Sequence, residues 1–228
     1  MDRDTESIGG VEKPLQPTRE LFRWTVALDL TALVLTLWLG WAISLACLVY
    51  IVCSRLYSYR GVRLKKFAFL GYFTVMLNQG GLVFWMVYNG ASLSHLCGFP
   101  WVQILAAIFL IGGFYPLTQV YQHGADRRDG VTTISMKLGI RGTFVLCGLM
   151  YLGAFGLLFF SYRDAGRMRD FLILQIFMFP VIVYFVWWAM RIWKDEAGAN
   201  YKNTMVMNVL ASSCTNIAFL TLLILHSF

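Results

Sequence analysis

Seven long apolar runs limit the folds open to this chain of 228 residues more than any other feature of its sequence. A helix needs about 20 mostly apolar residues to cross a bilayer, and its backbone must satisfy its own hydrogen bonds there. The runs do not alternate apolar with polar residues, as the strands of a membrane barrel would. We therefore predict one all-α domain over residues 1–228, a polytopic transmembrane helix bundle of about seven spans. The predicted spans are residues 22–39, 41–54, 67–88, 100–121, 143–161, 171–190 and 204–226.

Composition supports a membrane domain and argues against two other classes of protein. Charged residues make up 14% of the chain, whereas a soluble domain carries roughly a quarter. The net charge of +7 does not indicate nucleic-acid binding, because the cations cluster in short loops between the apolar runs. The five cysteines include no CxxC pair, so neither a zinc site nor a disulfide framework is predicted.

The distribution of basic residues predicts which ends of the helices face the cytosol. One side of the bundle holds sixteen of the nineteen Lys and Arg residues. That side comprises Arg23 and residues 1–21, 55–66, 122–142 and 191–203. The other side has three arginines near residue 165 and the uncharged loop 89–99. Because Lys and Arg concentrate in cytoplasmic loops, we expect an integral, multi-pass protein of the cytoplasmic (inner) membrane. Its N-terminal segment, residues 1–21, and its other basic loops then lie in the cytosol.

Two of the basic loops also carry oxygen ligands at helical spacing. Asp2 and Glu6 are four residues apart, as are Gln122 and Asp126, so each pair projects from one face of a helix. Two such helix ends could hold a magnesium ion between them, since magnesium prefers oxygen ligands and is usually bound together with substrate phosphates. Basic side chains on the same side could bind a diphosphate directly. They are Arg55, Arg60, Arg63, Lys65 and Lys66. The alternative is that these loops are solvated surfaces that only set the topology.

Three of the polar residues inside predicted spans are candidates for a role beyond packing. Asp29 is about two turns into the first span. An intramembrane carboxylate either has a functional role, or it pairs with a neighbouring helix or reaches toward the headgroups. Asn78 and Gln79, in the third span, either line a substrate cavity or form hydrogen bonds between helices.

Four features, in this order along the chain, resemble the UbiA superfamily of intramembrane prenyltransferases. The stretch DRDTESIGGVEKP is similar to the back half of the family's first motif, NDxxDxxxD. The stretch RLYSYRGVRLKK is similar to a family loop in which Tyr-Ser precedes Arg-Leu-Lys. The stretch YPLTQVYQHGADRRDGVTTISMKLG resembles the region of the second motif, DxxxD, together with the Gly, Thr and Leu-Gly that follow it. Three helices come after this motif, as in the family.

The resemblance implies a nine-helix fold of which this chain lacks the first two helices. On the motif match Asp2 is the central aspartate of the first motif and Glu6 replaces the last. Gln122 and Asp126 take the two acidic places of the second motif. Asp129 falls outside that spacing, and we interpret it as an ordinary loop charge. Since the leading Asn and Asp would precede Met1, we expect the DNA upstream to encode them and two further spans; a truncated or degenerate member is the alternative.

The implied activity is transfer of an isoprenoid chain from a polyprenyl diphosphate to an unknown small-molecule acceptor, possibly aromatic. The implied cofactor is Mg²⁺, bound by Asp2, Glu6, Gln122 and Asp126, of which Gln122 and Asp126 are the catalytic residues. The implied diphosphate ligands are Arg60, Arg63, Lys65 and Lys66. The aromatic faces of Tyr115 or Tyr121 would shield a cation-like allylic carbon. The non-enzyme alternative is a membrane lipid-binding protein on a prenyltransferase scaffold that has lost catalysis.

Overall fold

The computed structural model describes Val11, residues 18–92 and residues 98–227, and this part of the chain is helical with no β-strand. The segment Ala68–Gly90 is one continuous rod, because a π-helical stretch at Met76–Leu82 joins its two helical halves. The helices are α1 (Arg19–Leu37), α2 (Trp41–Ser58), α3 (Ala68–Val75), α4 (Val83–Gly90), α5 (Trp101–Gln119), α6 (His123–Arg128), α7 (Ile134–Asp164), α8 (Met168–Lys194) and α9 (Tyr201–Ser227).

The number and length of the helices confirm the predicted all-α polytopic bundle of about seven spans. Six rods in the described residues are long and apolar enough to cross a membrane: α2, α3–α4, α5, α7, α8 and α9. The remaining long helix, α1, has 19 residues but carries Glu20, Arg23 and Asp29 within them. The architecture is therefore compatible with an integral multi-pass membrane protein.

One predicted boundary is wrong by nine residues. The span predicted at 143–161 belongs to α7, which begins at Ile134, so the loop predicted at 122–142 ends nine residues earlier than expected, at residue 133. The Thr133 hydroxyl caps this helix by accepting a hydrogen bond from the Met136 N–H at 3.3 Å. Gly139, at φ 71°, breaks the helix one turn later. The charges of Lys137 and Arg141 flank this break, and in the sequence they made a helical turn resemble a loop.

The first two long helices form a hairpin. Gly40 turns the chain with φ of 117°, a conformation that side chains other than glycine rarely adopt. The carboxylate of Asp29 accepts a hydrogen bond from the Arg55 guanidinium on α2, and Arg55 also lies over the Phe22 ring. Asp29 is thus paired with a neighbouring helix, which agrees with the second of its two interpretations.

The α3–α4 rod approaches α5 closely at a glycine. A Cβ atom on Gly80 would lie 2.7 Å from the Ile108 Cα, so only glycine fits there. Two residues earlier, the Asn78 side chain donates to the Thr74 carbonyl of its own helix at 2.8 Å. Gln79 is exposed. The predicted interhelical role of Asn78 is therefore replaced by a bond within the helix.

The best-packed part of the bundle joins α5, α7, α8 and α9. Its buried side chains are Leu117, Val120, Phe144, Cys147, Trp188, Ile192 and Met207. The Trp188 indole N–H donates to the Gly198 carbonyl at 2.9 Å, which ties α8 to the connection before α9. This core lies directly beneath the loops that carry the candidate site and supports them.

Candidate functional site

Two connecting segments and the start of α9 meet at one end of the bundle, which we call the polar end. The first, residues 59–67, joins the second, residues 120–133, through the Thr132 N–H and the Lys66 carbonyl at 3.3 Å. The second approaches α9, where the Tyr121 and Tyr201 rings pack edge to face with centroids 5.4 Å apart. These contacts place three of the predicted basic loops, residues 55–66, 122–142 and 191–203, on one side. That this side faces the cytosol remains a prediction.

Gln122 and Asp126 are positioned by the short helix α6. The Asp126 N–H donates to the Gln122 carbonyl at 2.9 Å, so the two residues are one helical turn apart, as their spacing predicted. Gly130, at φ 67°, ends this turn, and the Val131 N–H returns to the Asp126 carbonyl at 2.9 Å. Both side chains are half-buried. The local backbone therefore holds the pair at the edge of the polar end.

Arg63 connects the two loops that carry the resemblance. Its guanidinium donates to the Asp129 carboxylate and, at 3.1 Å, to the Asp129 carbonyl. Arg63 itself has a left-handed backbone, φ 50°, and its side chain is 12% exposed. The guanidinium holds the pKa of the Asp129 carboxyl below its usual range, chiefly through the hydrogen bond. Interpreting Asp129 as an ordinary loop charge misses this contact, because it depends on a residue 66 positions away.

The other basic residues of the loop differ in their surroundings. Arg60 and Lys66 are exposed, and the Lys66 ammonium lies 4.8 Å from the centroid of the Phe67 ring. Lys65 is half-buried and engaged in an interaction of its own. A diphosphate approaching the polar end would therefore meet Arg60 and Lys66 first, whereas Arg63 is already committed to Asp129.

A chain of polar side chains lies beneath Asp126. The hydroxyls of Tyr57 on α2 and Tyr115 on α5 share a hydrogen bond. Tyr115 also hydrogen bonds to the Gln119 side chain and interacts with the Asp126 charge. Gln119 is buried, and its carbonyl oxygen has no hydrogen-bond partner among the described residues. Sequence reasoning missed Tyr57 and Gln119. Their only signal was position, because Tyr57 lies one residue before the end of α2 and Gln119 lies four residues after Tyr115.

His123 extends the polar network towards α7. Its Nε2 lies 2.7 Å from the Ser135 hydroxyl, which in turn lies 2.9 Å from the Thr143 hydroxyl. Burial lowers the pKa of His123, and the nearby Arg127 lowers it further. The imidazole is therefore neutral at pH 7, so it acts in hydrogen bonding and not as a cation.

The described residues supply a small donor set for magnesium. Among them no three His, Cys, Asp or Glu side chains come together. Gln122 donates its Nε2 to the Tyr121 hydroxyl at 2.9 Å, which leaves its carbonyl oxygen available as a ligand beside the Asp126 carboxylate. One carboxylate and one amide oxygen do not fit a metal held by protein alone. They fit an ion shared with substrate phosphates, which is how magnesium is commonly bound.

The remaining predicted ligands, Asp2 and Glu6, lie outside the described residues. Their convergence with Gln122 and Asp126 stays a prediction. Comparison of the chain with protein-family models, with curated proteins and with solved structures found no match. The fold thus defines a polytopic α-helical membrane protein with a basic polar end.

Proposed function

We propose that the protein is a UbiA-like prenyltransferase that moves an isoprenoid chain from a polyprenyl diphosphate to a small acceptor. One observation carries the proposal. The two segments that resemble family motifs, residues 55–66 and 115–139, are far apart in sequence yet are held against each other through Arg63 and Asp129. A shared site needs this juxtaposition, whereas solvated loops that only set the topology do not.

The proposed chemistry assigns a task to each part of the polar end. Arg60 and Lys66 would bind the diphosphate, because charge-assisted hydrogen bonds from exposed cations favour phosphate oxygens. Gln122 and Asp126 would hold a magnesium ion, which when bound neutralises charge developing on the leaving diphosphate. Arg63 would hold the two loops together through its bonds to Asp129. Its assignment as a diphosphate ligand remains a prediction that competes with its bond to Asp129.

The hydrogen-bonded pair Tyr57 and Tyr115 is suited to bind the reacting end of the prenyl diphosphate. Tyr115 is half-buried among apolar side chains and bonded to Tyr57, so its ring is fixed beside the Asp126 charge. A fixed aromatic face stabilises a cation-like carbon and excludes water from it. The isoprenoid tail would extend from there between the helices into the apolar bilayer.

The alternative function is a lipid-binding protein without catalysis. It is favoured by the single carboxylate of the described donor set. It is also favoured by an apolar cavity of about 650 Å³ between α5, α7, α8 and α9, lined mainly by aliphatic and aromatic side chains. Prenyl transfer and lipid binding both place an isoprenoid or acyl chain inside the bundle. Catalytic turnover is therefore the property that distinguishes the two functions.

The test is release of diphosphate. Membranes containing the protein are incubated with prenyl diphosphates of several lengths, magnesium and a panel of phenolic acceptors. The proposal expects diphosphate release and a prenylated product, both abolished in Asp126→Asn. Arg127→Gln, at an exposed residue one position away, should retain activity. If the wild-type protein binds prenyl diphosphates without turnover, the lipid-binding alternative is correct.

A further inference from the structure

A groove runs along the outer face of α8 where this helix reaches the polar end. It encloses about 790 Å³ and is lined by the segment 185–194. Val186, Met190 and Trp193 are spaced by four and three residues, so they form one stripe along the helix. Arg191 and Lys194 border this stripe at its polar end. The groove therefore combines an apolar floor with two cations at its mouth.

The two cations have no acidic partner in the described part of the chain. Neither Arg191 nor Lys194 forms an ion pair there. The acidic residues that follow them are engaged elsewhere: Asp195 accepts a hydrogen bond from the Ala197 N–H at 2.9 Å, and Glu196 pairs with Arg141 at 3.2 Å. Within the described part of the chain, neither cation at the groove mouth is therefore held in a direct ion pair.

The aromatic side chains indicate the depth of the groove in the membrane. The Trp187 ring lies 5.6 Å below the Arg191 guanidinium and is 43% exposed, and Trp193 is 48% exposed. Tryptophan concentrates at the boundary between headgroups and hydrocarbon. The mouth of the groove thus lies at headgroup level, and the exposed Met190 and Val186 lie in the hydrocarbon below it.

We propose that this groove binds one anionic phospholipid. The lipid phosphate lies between Arg191 and Lys194, and one acyl chain follows Val186 and Met190. Charge complementarity selects an anionic headgroup, because two neighbouring cations that form no ion pair with the described residues favour a lipid with net negative charge over a zwitterionic one. The planar guanidinium of Arg191 is suited to two phosphate oxygens, and Trp187 beneath it fixes its orientation. This site is independent of the proposed prenyl transfer.

The test is a lipid titration of the purified protein followed by native mass spectrometry. The probes are dioleoyl phosphatidylglycerol and dioleoyl phosphatidylcholine. Each cation near the headgroups contributes about fivefold, so Arg191→Gln with Lys194→Gln should weaken phosphatidylglycerol binding about 25-fold. Phosphatidylcholine binding should hardly change. The matched control, Arg127→Gln with Lys137→Gln, removes two exposed cations from the same end outside the groove and should bind as wild type does.

Two further variants keep the test decisive if the double variant does not fold. Lys194→Gln alone changes one exposed side chain and should lose about fivefold. Exchange of the two cations, Arg191→Lys with Lys194→Arg, preserves the charge and should retain most of the affinity. The proposal is overturned if the control loses as much affinity as the groove variant, which would mean diffuse attraction, or if the two lipids bind wild type equally.

Discussion

Substituting Asp129 by Asn removes the charge that joins the two loops of the candidate site while preserving the shape of the side chain. The Arg63 guanidinium keeps its second bond, to the Asp129 carbonyl at 3.1 Å, because that acceptor belongs to the backbone. We therefore expect the loops to loosen without unfolding of the bundle. The sensitive reporter is the Thr132 amide, whose bond to the Lys66 carbonyl depends on the loops staying together.

The size of the effect follows from the exposure of the two side chains. Breaking a fully buried ion pair costs about 3–5 kcal/mol, whereas exposed pairs couple by about 0.2–1 kcal/mol. Arg63 is 12% exposed but Asp129 is 39% exposed, so solvent screens the pair substantially. We expect a coupling of about 1 kcal/mol, which corresponds to about a fivefold change in the local opening equilibrium.

Hydrogen exchange across a double-mutant cycle measures this coupling. The cycle comprises Arg63→Gln, Asp129→Asn and both together. The full cycle is needed because Arg63 makes a further contact. The effect of Arg63→Gln alone therefore exceeds the coupling free energy between Arg63 and Asp129. Exchange at Thr132 should accelerate about fivefold in Asp129→Asn, and the double variant should exchange no faster than Arg63→Gln alone. Additive effects of the two substitutions would refute the direct contact.

The same contact predicts a pH dependence. The pKa of Asp129 is lowered in the folded protein by the Arg63 hydrogen bond. The stabilisation is therefore fully present above the ordinary carboxyl pKa of about 3.9 and is lost as the pH falls through the lowered value. After correction for intrinsic rates, the difference between wild type and Asp129→Asn should persist at pH values above about 4 and vanish in stronger acid.

Three other predictions concern charged groups elsewhere. Burial lowers the pKa of His123, so thermal stability in detergent should fall as the pH drops below about 6.5, and His123→Gln should flatten that dependence. Asp170→Asn should lower the free energy of unfolding by about 2 kcal/mol, because the buried carboxylate bridges Arg167 at 2.6 Å and His226 at 2.9 Å across α8 and α9. Asp29→Asn should accelerate hydrogen exchange in α1 by up to about fivefold, since its half-exposed pair is the main polar bond to α2 among the described residues.

The helices could be predicted from the sequence because their apolar runs are long. In lipid a run of this kind has no structure open to it except a helix. The start of α7 could not be predicted from hydropathy. Lys137 and Arg141 lower the local apolarity, whereas the Thr133 cap that sets the true start is a feature of one residue.

The candidate site was predictable where it depends on local spacing. The turn from Gln122 to Asp126 follows from helical periodicity and is present as expected. The Arg63–Asp129 contact and the Tyr57–Tyr115 pair were not predictable, because each joins segments about 60 residues apart through tertiary packing. No spacing rule connects such positions in a single sequence.

The central claim is that Gln122 and Asp126 form half of a site for a magnesium-bound diphosphate. The most direct measurement is calorimetric titration of the purified full-length protein with geranyl diphosphate, with and without magnesium. We predict magnesium-dependent binding that Asp126→Asn abolishes, because it removes the only carboxylate of the second motif. Gln122→Asp should strengthen binding by adding a negative charge one turn away. Wild-type affinity in Asp126→Asn would contradict the account and leave Asp126 an ordinary surface charge.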